Sequence, residues 1–84
     1  MKVIGTIVNK SGHPIGIFQV KPHVVEDKTA AESFRKELRT VFAQLPLVLI
    51  SQIDGKIIYE GAERDVRLIK QDNPALYGWR GYEI

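Results

Sequence analysis

His13 and His23 are the side chains of this 84-residue chain best suited to holding a metal or moving a proton. They stand ten residues apart, each beside a proline, without the i, i+4 spacing that puts two ligands on one helical face. Exposed turn histidines describe them. Ser11, Ser33 and Ser51 are possible nucleophiles by type only, because none lies in a Gly-x-Ser-x-Gly elbow or near a local base. Gly5, Gly12 and Gly16 precede no strand-to-helix turn and make no phosphate loop. Glu63 and Asp65 could divide acid and base roles only if a dry pocket separated their pKa values. Helix-start electrostatics accounts for them without that. The chain has no cysteine, so disulfides and thiolate sites are excluded. The expectation is a non-enzymatic protein with no catalytic residue, metal or cofactor.

Two groups of residues suit binding better. Arg35, Lys36 and Arg39 recur in one segment, and Arg64, Arg67 and Lys70 in another, at spacings that could meet phosphate. Glu32, Glu37, Glu63 and Asp65 are interleaved with them, and the net charge is only +2. A solvated, salt-bridged face is therefore the plainer reading. The tail carries Tyr77, Trp79, Arg80 and Tyr82 between glycines. Such a segment could cap a thin core, form a protein interface or stack on bases.

The elements that must position these residues follow from pattern. Lys2 to Asn9 alternates Ile4, Thr6 and Val8 against Val3, Gly5 and Ile7, as an interior strand would. Turn formers from Asn9 to His13 lead into a second strand, Ile15 to Val20, making a hairpin. Thr29 and Glu32 have capping-box spacing, and Ala31, Phe34, Leu38, Val41, Phe42 and Leu45 form one stripe of a helix reaching Pro46. Glu32 and Lys36 are spaced for an ion pair on its other side. Leu47 to Ile50 is apolar throughout, which fits a strand covered on both faces. Asp54-Gly55 marks a second hairpin, returning through Lys56 to Glu60. Residues 62–71 read as a short helix burying Ala62, Val66 and Ile69, with a strand through Val66-Arg67-Leu68-Ile69 as the alternative. A last short strand is expected near Tyr82 to Ile84.

The expected fold is one α+β domain over residues 1–84. Its ββαββ core has two hairpins in a mostly antiparallel sheet and one amphipathic helix on one face, with a short C-terminal helix and aromatic tail. The N-terminal apolar run is broken at Asn9-Lys10, too early for a signal-peptide core, and no stretch approaches ~20 apolar residues. A cytoplasmic protein without membrane contact is expected.

Ile53-Asp54-Gly55-Lys56-Ile57-Ile58, followed by Glu63-Arg64-Asp65, resembles the latter half of a CBS (cystathionine β-synthase) domain. That resemblance implies a nucleotide-sensing module in which Asp65 binds a ribose. Composition and size instead favour a small binding or assembly module that pairs with itself, or with a protein partner, through a sheet edge or through Trp79 and the tail. The third expectation is a nucleic-acid-binding protein using Arg35, Arg39, Arg64 and Arg67 with the tail aromatics.

Overall fold

The computed structural model describes residues 1–84. Strands β1 (Lys2–Lys10) and β2 (His13–Gln19) form the first hairpin, and β3 (Leu47–Ile53) and β4 (Lys56–Glu60) the second. Both turn on two residues with positive φ: Asp54 and Gly55 stand at 51° and 78°. That conformation suits the right-handed twist of the flanking strands and explains why Asp-Gly marks the turn. Helices α1 (Pro22–Glu26) and α2 (Lys28–Leu38) link the hairpins. Helix α3 (Glu63–Ile69) and a 3-10 turn (Pro74–Leu76) lead to β5 (Arg80–Glu83). The strand order is β4-β3-β2-β1-β5, with β2 and β3 parallel and every other pair antiparallel. The α+β class and the ββαββ order are as the sequence implies.

Several local expectations need correction. The α2 cap is Asp27, not Thr29: its carboxylate accepts from the Thr29 and Ala30 amides at 2.9 and 3.4 Å. Pro22 opens the separate helix α1, which the sequence reading missed. The long helix stops at Leu38, where Thr40 Oγ1 donates to the Glu37 carbonyl at 2.7 Å and the backbone tightens. Phe42 and Leu45 still pack against the core from the loop, while Val41 is exposed. Ala62 is the exposed residue before α3 and contributes nothing to its buried side. Residues 63–69 are helix, which removes the strand alternative.

The sheet is covered on both faces, as the unbroken apolarity of Leu47 to Ile50 implies. Alternation sends Phe18, Leu47 and Leu49 to one side, where they pack with Val24, Ala31 and Leu38 of α1 and α2. Ile15, Ile17, Val48 and Ile50 point the other way and pack under Ile69 of α3. Helices α1 and α2 thus cover one side, the α2 face, and α3 covers the other, the α3 face. Double coverage is why Leu47 to Ile50 is buried residue after residue. On the α2 face the Phe18 ring lies over Gly5, where an added Cβ would stand 2.3 Å from Cδ2 of the ring. A side chain there would expel the ring from the core. No helix is long and apolar enough to cross a membrane.

Candidate functional site

The aromatic tail is divided between the two faces, where its rings pack on the core. Tyr77 and Trp79 fold onto the α3 face, against the cluster that holds Ile15 and Ile69. Their rings meet edge to face, with centroids 5.7 Å apart. Trp79 Nε1 donates to the Pro74 carbonyl at 2.9 Å, which pins the indole to its own loop. Tyr82 lies in β5 on the opposite face, 5.1 Å from Phe42 in a T-shaped pair and 6.1 Å from Phe18. Arg80 opens β5, exposed, opposite Gly5 of β1. A single stacking platform of Tyr77, Trp79, Arg80 and Tyr82 is therefore not formed.

The arginines are divided in the same way. Arg35 is buried rather than projecting: it donates to Glu32 at 2.6 Å and also to the carboxylate of Glu60 on β4. It is a structural clasp between α2 and the sheet, so Glu32 pairs with Arg35 instead of Lys36. Hydrogen bonding and charge from Arg35 together hold the Glu32 carboxyl below its ordinary range. Arg39 remains exposed, beside a shallow depression of 530 Å³ along α2 that Lys28 and Lys36 also line. Arg64 and Arg67 are exposed on α3, across the sheet, with Arg67 paired to Glu63 at 2.9 Å. Asp65 sits half-buried in the first turn of α3 and lines none of the molecule's cavities.

A second clasp, absent from the sequence reading, closes the α3 face. Asp72 accepts from Lys10 Nζ of β1 at 2.7 Å and from the Tyr77 hydroxyl at 2.7 Å. The Lys10 hydrogen bond, followed by that of Tyr77, keeps the Asp72 carboxyl below its ordinary range. Burial, then the bond to Asp72, pushes the Tyr77 phenol above its own. Burial and the charge of Asp72 raise Tyr59 as well. The two hydrogen bonds to Asp72 anchor the loop that carries Trp79.

A cavity lies beside that anchored loop, at the carboxyl ends of β2 and β3. Its volume is 400 Å³, with Ile50 and Ile57 as floor and Trp79 and Pro74 as wall. Gln19 and Gln52 stand at its rim, and no charged side chain lines it. His13 and His23 are both exposed and lie at different ends of the sheet, in the first hairpin and in α1. The structure brings no group of three acidic or histidine side chains together as metal ligands.

The outer edge of β4 is the other open feature. Ile57 and Ile58 are exposed there on successive residues, one to each face. Compared with known proteins, the chain matches no family model, no curated protein and no solved structure.

Proposed function

We propose that this chain is a small, non-enzymatic assembly module of the cytoplasm that forms a homodimer by pairing β4 with the β4 of a second copy. The observation that carries this reading is the self-complementarity of Lys56-Ile57-Ile58-Tyr59-Glu60. Ile53 and Lys56 close a two-residue hairpin, so their backbone bonds face each other. The alternation of an antiparallel ladder then turns the N–H and C=O groups of Ile57 and Tyr59 outward. A two-fold axis at Ile58 sets Ile57 opposite Tyr59 of the second copy, so all four outward groups per strand find partners. The same register places Lys56 opposite Glu60 and Ile58 opposite its own counterpart. Opposite charges and β-branched–aromatic pairs are the combinations that favour strand pairing.

The other edge lacks this property. In β5 the charged residues Arg80 and Glu83 differ by an odd number of positions, so they lie on opposite faces. No two-fold register of β5 can bring them together. An unpaired apolar edge invites pairing, and an isologous contact closes after one partner.

The test is size exclusion with light scattering over a range of concentrations, for the wild type, Ile58→Lys and Trp79→Ala. The reading requires a concentration-dependent wild-type dimer and a folded Ile58→Lys monomer, since like charges would meet at the axis. Trp79→Ala should remain dimeric, because the indole packs within its own subunit. A wild type that stays monomeric at high concentration overturns the proposal, as does an Ile58→Lys dimer.

A second reading has one observation in its favour. With Glu32 turned to Arg35, the exposed Lys28 and Lys36 of α2 and Arg39 just after it carry no ion-pair partner. They could contact the phosphates of a nucleic acid. Oligonucleotide retention that falls steeply with salt and is lost on Arg39→Ala would support it.

A further inference from the structure

We infer that the cleft at the carboxyl ends of β2 and β3 is a binding site for a flat, uncharged, amide-bearing heterocycle of nucleobase size. On the α3 face, β2 presents Ile15, Ile17 and then Gln19, and β3 presents Val48, Ile50 and then Gln52. Each strand thus ends an apolar series on a carboxamide. Because the two strands run parallel, with Gln19 beside Ile50, both carboxamides arrive at the same end of the sheet. Adjacent strands lie about 4.8 Å apart, so the two amides flank Ile50 on one surface.

Neither glutamine side chain has a hydrogen-bond partner within the protein. Each offers one donor group and one acceptor, the pattern that complements the edge of a cyclic amide. The wall supplies aromatic surface through Trp79. Trp79 is held by its bond to Pro74 and its edge contact with Tyr77, so its orientation is set before a ligand arrives. The cavity of 400 Å³ falls within the ~300–1,000 Å³ of small-molecule sites. The absence of any charged lining residue argues against a carboxylate or phosphate inside it. An apolar floor, a fixed aromatic wall and two unpartnered carboxamides together select neutral cyclic amides.

This inference does not rest on the dimer, and its test separates the two. Trp79 is the chain's one tryptophan and lines this cleft, so a ligand bound there should change its fluorescence. Uracil is the probe, with benzene as an apolar control and orotate as a charged one. Saturable quenching by uracil is expected in the wild type and equally in Ile58→Lys, whose substituted side chain faces the other side of the sheet. Gln19→Leu and Gln52→Leu should each weaken uracil about five- to tenfold, the worth of one net hydrogen bond. Asp65→Ala should leave binding unchanged, which separates this site from the ribose contact that the CBS resemblance implies. Orotate should bind less well than uracil. Quenching no greater than that of free tryptophan overturns the inference. So does benzene binding as well as uracil, or uracil binding untouched by both Gln→Leu changes, with the fold of each variant checked by circular dichroism.

Discussion

The two faces of the sheet use the same device at different depths. On each, an apolar cluster is locked by one ionic clasp joining the covering layer to a strand. Arg35 of α2 reaches Glu60 of β4 on one face, and Asp72 beyond α3 reaches Lys10 of β1 on the other. The Arg35 side chain retains 9% of its exposure, whereas Lys10 and Asp72 retain 28% and 24%. A charge shut away from water is stable only while paired, so losing its partner costs far more than the pair itself contributes. A pair that water reaches is screened and weak. The α2 face should therefore behave as a rigid scaffold. The α3 face, which carries the cleft and the aromatic loop, should be the one that conditions can loosen.

The largest effect expected is at the deeper clasp. Arg35→Met leaves Glu60 without its cation and should destabilise the fold by about 3 kcal/mol, read by urea denaturation. Adding Glu60→Gln should recover part of that loss, because the uncompensated carboxylate is then gone. If Arg35→Met cost no more than an exposed pair, the contrast between the faces would fail.

Asp72→Asn should cost about 1 kcal/mol or less, in keeping with a pair that water still reaches. Its pH signature is the sharper test. The folded carboxyl lies below its ordinary value, so its contribution is complete above the usual aspartate range near pH 4. That contribution is lost as the pH falls through the lowered folded value. The wild type should therefore lose more stability on acidification than Asp72→Asn. Trp79 fluorescence should shift with it, since Tyr77 is released. Equal acid profiles for the two proteins would remove Asp72 as the anchor of the loop.

The smallest effect belongs to Glu63 and Arg67, exposed at successive turns of α3 with their side chains 87% and 75% accessible. Glu63→Gln should change stability by only about 0.3 kcal/mol, and less at high salt. A larger change would mean that helix-start charge governs the α3 face more than packing does.

Much of the fold was legible because its signals are local. Asp54-Gly55 announces a turn needing positive φ, and unbroken apolarity from Leu47 to Ile50 announces a strand buried on both sides. The Glu63-to-Ile69 helix was visible in its charge order. The α2 boundaries were less so: Thr29-x-x-Glu32 imitates a capping box, yet Asp27 holds the amides and Glu32 is drawn to Arg35. The apolar stripe continued past Leu38 because Phe42 and Leu45 are needed by the core, whether or not the backbone remains helical. Lys10 and Asp72 gave no signal at all, being 62 residues apart with nothing local to mark either.

By itself, the sequence determined the strands, both hairpin turns and the position of α3, since hydrophobic period and turn chemistry act over a few residues. It also determined that β4 carries opposite charges at its two ends, so that an antiparallel copy is complementary to it. Tertiary structure alone decided that β2 and β3 run parallel, which brings Gln19 and Gln52 to one rim. It likewise decided that the tail is split, with Trp79 on one face and Tyr82 on the other. Those outcomes depend on which residues meet across the sheet, and such meetings are settled by burial over the whole chain rather than by neighbours in sequence.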